Sequence, residues 1–250
     1  MTRTARAAAI IPVRVQSQRL PNKALLSDSG QPLFLHTWEQ ARRAECFEEV
    51  YVATDSDAVA DAATAAGAAL LRTTDKPRTG SERCAEALAS ADLDVDIIVD
   101  VQGDWPEIAP DDLARLSSAV ADGAPTATLA VPLADQALLD NPNVVKVVRG
   151  QDGNALYFSR ACIPHPHAGT AGGWLRHIGV YAFTREVLLR IPDLPSSGLA
   201  ETEGLEQLRF LENGISMQVV TTDHEPWGIE TASDYQEFLR RLTSPGGTRS

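Results

Sequence analysis

Three basic side chains, Arg14, Arg19 and Lys23, stand close together in IIPVRVQSQRLPNKALL, directly after an apolar run near the start of the chain. A triphosphate carries about four negative charges, and a loop without glycines must meet them with guanidinium and ammonium side chains. Pro12 and Pro21 stiffen this segment and limit the entropy lost on closing around a ligand. A solvated basic loop would carry the same residues. In IIVDVQGDWPEI a buried strand ends in an acid, Asp104, and Gly103 lets a backbone approach closely just before it. Such a carboxylate can hold magnesium, which takes few protein carboxylates and leaves its other positions to phosphate oxygens and water. Aspartate at a strand end also serves as a turn or cap residue. Glu230, in EPWGIETASDY, is a second acid in a similar setting; helix capping by Glu230 and Thr231 is its structural alternative.

These residues need a scaffold that brings strand ends together. Apolar runs alternate with helix-length amphipathic stretches, the pattern of a sheet built from βα units with helices on both faces. Strands are predicted at Ala8 to Val13, Val50 to Thr54, Ile97 to Val101, Thr126 to Val131, Val144 to Val148 and His177 to Phe183. Helices are predicted at Leu33 to Ala44, Asp57 to Ala66, Ser81 to Ala91, Pro110 to Val120, Thr202 to Asn213 and Ala232 to Leu242, several opened by Asp, Ser or Thr caps. The ligand segment after the first strand then falls where α/β sheets bind ligands, beyond the carboxyl ends of strands. The cluster from Pro164 to Gly173 reads as a mobile loop, and the tail from Thr243 to Ser250 as loose.

The 250 residues fit one domain or one core with a smaller subdomain, and 44% hydrophobic with 22% charged residues is ordinary globular usage. The formal charge of -12 repels nucleic acid and anionic lipid, so neither nucleic acid nor membrane is expected as a partner. An acidic protein that handles polyanions must concentrate positive charge locally, as at Arg14, Arg19 and Lys23. Cys46, Cys84 and Cys162 lack zinc-site spacing and read as free thiols in a reducing cytoplasm. The opening MTRTARAAAIIPVRV has too few apolar residues for a signal segment or a span.

Taken in order, IIPVRVQSQRLPNKALL, VYVATDSDAVADAA, TGSERCAEAL, VDVQGDWPEI, NPNVVKVV, ALYFSRACIPH, RHIGVYAF, GLEQLRFLENG and GIETASDY resemble the 3-deoxy-manno-octulosonate (Kdo) cytidylyltransferase family over nearly the whole chain. The resemblance implies a Rossmann-like mixed, mainly parallel sheet with helices on both faces, in one nucleotidyltransferase domain. A small dimerisation and acceptor subdomain, about 132–200, would be inserted in it. It also implies magnesium-dependent transfer of CMP from CTP to a small acidic acceptor, release of pyrophosphate, and a cytoplasmic homodimer.

Carried over by position, the resemblance puts the triphosphate near Arg14, Arg19 and Lys23, the base near Pro12, Val13, Arg83 and Gln102, and magnesium at Asp104 and Glu230. The catalytic set is Arg14, Arg19, Lys23 and Asp104. Acceptor contacts fall to Trp105, Arg160, His177, Tyr181, Glu203 and Gln207. Period two puts His177 and Tyr181 on one strand face, and a continuous helix puts Glu203 and Gln207 one turn apart. Without the resemblance, His177 reads as a hydrogen-bonded histidine lining the sheet.

Four positions depart from the family pattern: Trp105 where an acid is usual, Val13 for alanine, Asn22 for glycine and Glu230 for aspartate. Asparagine tolerates left-handed backbone angles, and glutamate keeps the charge on a longer arm. Trp105 removes a carboxylate beside the acceptor. Three readings follow: CMP transfer to Kdo or a related sugar acid, the same transfer to a phosphonate or other secondary-metabolite acid, and a non-catalytic nucleotide-binding regulatory module.

Overall fold

The strands Ala7–Pro12, Ile97–Val101 and Thr126–Pro132 are buried along nearly their whole length, so each must be covered from two sides. The computed structural model describes residues 5–17, 19–167 and 173–243. In chain order the first half comprises β1 (Ala7–Pro12), α1 (Leu33–Arg42), β2 (Val50–Thr54), α2 (Asp57–Ala65), β3 (Ala69–Arg72), α3 (Gly80–Ala91), β4 (Ile97–Val101) and α4 (Pro110–Ala121). The second half comprises β5 (Thr126–Pro132), α5 (Gln136–Leu139), β6 (Lys146–Arg149), β7 (Ala155–Ser159), β8 (Leu175–Thr184), α6 (Arg185–Arg190), α7 (Gly198–Glu203), α8 (Gln207–Glu212), β9 (Met217–Thr221) and α9 (Ala232–Thr243).

The sheet runs β3-β2-β1-β4-β8-β5-β9, with β6 joining β7 to β8. β1, β2, β3 and β4 pair in parallel, as do β5 and β9, whereas β8 is antiparallel to β4 and β5. The mixed, mostly parallel sheet with helices on both faces matches the predicted class. In β1, Ala7, Ala9 and Ile11 face a core shared with α1, α2 and α4, while Ala8 and Ile10 face one shared with α3, α6 and α8. Side chains alternate along a strand, so six consecutive apolar residues serve both layers. Thr79, Ser56 and Ser197 cap α3, α2 and α7 by accepting from Glu82 N, Val59 N and Ala200 N.

The topology makes the crevice. β1 feeds β2 on one side and meets β4 on the other, so their carboxyl ends open together at a switch point. With β5 along one edge of β8, the other edge pairs with β4 through Val180–Thr184 and with β6 through Leu175 and Arg176. His177 to Gly179 border the gap left between β4 and β6.

β3, β7, β9, α5 and α6 go beyond the elements expected from pattern. β3 has only four residues, and β7 is an edge strand on which Leu156 is exposed, so neither carries a strong buried pattern. The predicted helix from Thr202 to Asn213 is two helices, because Gly204 adopts φ 65° and ends α7. Within 132–200, β8 lies inside the main sheet while β6 and β7 form a hairpin. Residues 168–172 of the expected Pro164–Gly173 loop and residues 244–250 of the tail lie outside the described residues. At the ends of that loop, Trp174 Nε1 donates to Pro164 O at 3.0 Å.

Candidate active site

Two cavities open at the switch point. The smaller, about 680 Å³, is walled by the segment after β1 and the tip of β4. Pro12, Val13, Arg14, Arg19, Lys23, Gln102, Asp104 and Glu230 all line it, so sequence positions more than 200 residues apart converge. Lys23 Nζ lies 2.6 Å from Asp104 Oδ2, Arg19 pairs with Glu230, and Arg14 donates to Arg78 O at 3.2 Å. Asn22 has φ 54°, the left-handed angle that turns the chain into Lys23. Ile229 N donates to Asp104 O at 2.9 Å, which brings the Glu230 segment against the β4 tip.

The larger cavity, about 870 Å³, extends from the β4 tip over the gap in β8 towards α7 and α8. Trp105, Arg160, His177, Tyr181 and Gln207 line it, and Arg14, Gln102, Asp104 and Glu230 line both cavities. His177 and Tyr181 share a face with ring centroids 5.6 Å apart, and both contact the Gln207 amide, at 3.5 and 3.2 Å. Burial, and then the charge of Arg176, lowers the His177 pKa to about 3, so its imidazole is neutral at physiological pH. Burial raises the carboxyl pKa of Asp100, which does not line this cavity, and of Glu206, which does. Trp105 covers Gly179 and Gly228; a methyl added at Gly228 would meet the indole at 3.1 Å. The two glycines give the indole its place.

Comparison with known proteins identifies the lineage. A family model described as cytidylyltransferase matches residues 8–219. A 3-deoxy-manno-octulosonate cytidylyltransferase of Chlorobium limicola is 43% identical over 246 residues, covering 96% of this chain and 99% of the relative. One from an Anaeromyxobacter species is 44% identical, covering 96% and 98%. The chain belongs to the 3-deoxy-manno-octulosonate cytidylyltransferase family. A solved CMP:2-keto-3-deoxy-manno-octonic acid synthetase, complexed with CTP, superposes with TM-score 0.88 at 34% identity, covering 94% of this chain and 98% of that one. The fold alone is shared with a 4-diphosphocytidyl-2C-methyl-D-erythritol synthase of Anaerococcus prevotii, at TM-score 0.65 and 13% identity, covering 97% of this chain and 100% of that one.

Two residues assigned through the Kdo cytidylyltransferase resemblance lie elsewhere. Arg83 is 4% exposed, pairs with Asp55 at 3.0 Å and Thr74 O at 3.1 Å, and lines neither cavity. Glu203 accepts from Ser159 Oγ at 2.6 Å and from Arg160 N at 2.9 Å, so it anchors Arg160 without lining the cavity. It does not share a helix with Gln207. The break at Gly204 turns Glu206 into the cavity beside Gln207, a placement that a continuous helix hides. Arg78, Gly80, Arg176, Trp227 and Gly228 also line the larger cavity and were not singled out in the sequence. Arg176 sits 4.6 Å over Trp227, and its Nη2 is buried without a hydrogen-bond partner among the described residues. Their signal is weak because an isolated arginine, glycine or tryptophan has no period, whether it stands in a loop, as Arg78, Trp227 and Gly228 do, or at an element's end, as Gly80 and Arg176 do. Cys84 is fully buried and its thiol pKa is raised by burial, in keeping with core packing.

Proposed function

We propose that the protein transfers CMP from CTP to a 3-deoxy-2-keto sugar acid of the Kdo class and releases pyrophosphate. The observation that carries this reading is the sharing of Arg14, Gln102, Asp104 and Glu230 by two cavities of different character. The smaller one gathers Arg14, Arg19 and Lys23 and suits a triphosphate. The larger one suits an acidic acceptor: among the described residues its Arg14, Arg78, Arg160 and Arg176 form no salt bridge, in a chain of net charge -12. A CTP-complexed relative of the same fold supports the nucleotide, and the names of the relatives support the acceptor.

The acceptor hydroxyl oxygen attacks the α-phosphorus in line. A new oxygen–phosphorus bond forms as the bond to the pyrophosphate oxygen breaks, and the hydroxyl proton passes to solvent. Arg14, Arg19 and Lys23 hold the phosphates and balance the leaving charge, so positioning and electrostatics supply most of the rate. Asp104 and Glu230 would hold magnesium. Each spends one carboxylate oxygen on Lys23 or Arg19 and leaves the other without a partner among the described residues. No cluster of three or more His, Cys, Asp or Glu ligands exists among the described residues, so the remaining ligands would be phosphate oxygens and water. When bound, the ion supplies Lewis-acid neutralisation of phosphate charge.

A cytoplasmic homodimer belongs to the same reading. It is supported by the three free cysteines and by the edge strand β7, which exposes Leu156. Among the described residues no helix is long and apolar enough to cross a membrane. Trp105 in place of an acid favours a second reading, in which the acceptor is a phosphonate or other secondary-metabolite acid. Pyrophosphate release with magnesium, across the four nucleoside triphosphates and a panel of Kdo, amino-Kdo, sialic acid and small phosphonates, tests both. CTP-dependent release with Kdo is the expected result; release with a phosphonate alone selects the second reading. Absence of CTP binding by calorimetry would overturn both.

A further inference from the structure

Lys146 opens β6 and is completely buried, yet it forms no salt bridge among the described residues and lines neither cavity. An ammonium has three donors and no acceptor, and burial leaves each donor costly unless it is matched. All three are matched by backbone carbonyls: Asn141 O at 3.3 Å, Val144 O at 2.6 Å and Arg160 O at 2.5 Å. Those carbonyls come from two segments that wall the larger cavity. Asn141, Asn143 and Val144 line it from the turn between α5 and β6, and Arg160 lines it from the end of β7.

The hydrogen bonds continue outward from that point. The Arg160 side chain donates to Pro142 O and Glu203 O, both at 2.8 Å, and to Gly204 O at 3.4 Å. Asn143 Oδ1 accepts from Arg19 at 3.4 Å, which reaches the triphosphate pocket. One ammonium thus pins the turn to the strand end, and Arg160 fastens both to α7.

We propose that Lys146 is a positioning residue for the acceptor: its ammonium holds Arg160 and the 141–144 turn in register and touches no substrate. The proposal rests on the reading of the larger cavity as the acceptor site. A purely apolar residue of similar length fills the volume but takes the ammonium from the Val144 and Arg160 carbonyls, leaving Asn141 O with only Val144 N at 3.0 Å, so the turn and Arg160 move apart. Affinity for the acceptor then falls, while the CTP cavity loses only the 3.4 Å contact of Arg19 with Asn143 and keeps the Arg19–Glu230 and Lys23–Asp104 ion pairs.

The test compares wild type, Lys146→Met and Lys146→Gln by steady-state kinetics in each substrate, with thermal denaturation alongside. The expected result is an acceptor KM raised about tenfold in Lys146→Met and less in Lys146→Gln, which keeps two N–H donors, with the CTP KM within about twofold of wild type. An unchanged acceptor KM in a folded variant overturns the proposal. So does a fall in kcat alone with both KM values intact, the signature of a smaller active fraction. If both variants fail to fold, Lys146 belongs to the core and the proposal is likewise overturned. A wild-type protein silent with every acceptor overturns the acceptor reading itself, whereas active wild type with unaltered variants overturns only the role of Lys146.

Discussion

Lys23 Nζ and Asp104 Oδ2 lie 2.6 Å apart, and Asp104 lines both the cavity walled by the basic loop and the one whose Arg78, Arg160 and Arg176 form no salt bridge among the described residues. The two residues come from different loops, one after β1 and one after β4, and meet because those strands are neighbours in parallel register. Their side chains are 17% and 30% exposed, so the ion pair adds only about 1 kcal/mol or less to stability. Its significance is electrostatic. An arriving triphosphate can take Lys23 from Asp104, which frees the carboxylate for a divalent cation.

Asp104→Asn is therefore expected to abolish magnesium-dependent pyrophosphate release while leaving the melting temperature within a few degrees of wild type. The assay pairs pyrophosphate detection with thermal denaturation. Near-normal turnover would remove Asp104 from the proposed metal site, and loss of the folding transition would recast it as a structural residue.

Gly80 marks a second sensitive point, because a methyl group there would fall 2.0 Å from Gln102 Nε2. Gln102 cannot retreat freely: the same nitrogen donates to both Asp100 oxygens, at 3.1 and 3.2 Å. Gly80→Ala is expected to displace Gln102 and raise the CTP KM several-fold, with a gain or loss of about 1 kcal/mol in stability, since alanine also favours the helix. A CTP KM equal to wild type, measured at saturating acceptor, would place Gln102 away from the nucleotide.

What the sequence made legible follows from local physics. The basic loop and the Asp104 tip could be found because a fully apolar strand must end where its polar residues begin, and in an α/β sheet that edge binds ligands. His177 and Tyr181 share a face as expected because side-chain alternation along β8 survives the irregularity opposite Thr128 and Leu129. The shared helix expected for Glu203 and Gln207 is absent for an equally local reason. A glycine such as Gly204 is tolerable inside a helix by pattern, yet its left-handed angle ends α7 and rotates the following residues towards the cavity. The expectation for Arg83 rests on position alone, whereas in the fold Asp55 and Thr74 O hold its guanidinium and it lines neither cavity. Arg176 depends on the β6–β8 and β5–β8 registers, and long-range strand pairing leaves no trace in one sequence.

Trp105 and Gly228 form a matched pair, since a methyl group on Gly228 would stand 3.1 Å from the indole and neither side has room to spare. Gly228→Ala is expected to cost about 1–3 kcal/mol through overpacking and to raise the acceptor KM. Trp105→Ala in the same chain removes the obstruction, so the double variant should lose less stability than the sum of the single variants. Urea midpoints of the four proteins give the coupling, and strict additivity would deny the contact. Trp105→Glu, which restores an acid, should weaken the native acceptor if the indole shapes a pocket for something other than Kdo; an unchanged acceptor profile would count against that second reading.

His177 supplies a pH test with a definite sign. Its nitrogens face Thr128 Oγ1 at 2.9 Å and the Gln207 amide at 3.5 Å, and burial lowers its pKa from 6.5 to about 3. The unfolded chain therefore binds a proton that the folded chain refuses between those two values. Above pH 6.5 neither state is protonated and the residue has no pH effect; as pH falls from 6.5 towards 3 stability is lost at about 1.4 kcal/mol per pH unit. At pH 5 this amounts to about 2 kcal/mol. Between pH 7 and pH 5, wild type should thus lose about 2 kcal/mol more than His177→Gln in urea denaturation, the subtraction cancelling the carboxyl groups common to both. Equal losses would mean that the imidazole is solvated or protonated in the folded state. A neutral imidazole throughout pH 5–8 also produces no inflection in turnover, so an activity break that disappears in His177→Gln would contradict the buried, hydrogen-bonded role and give this residue part of the proton transfer.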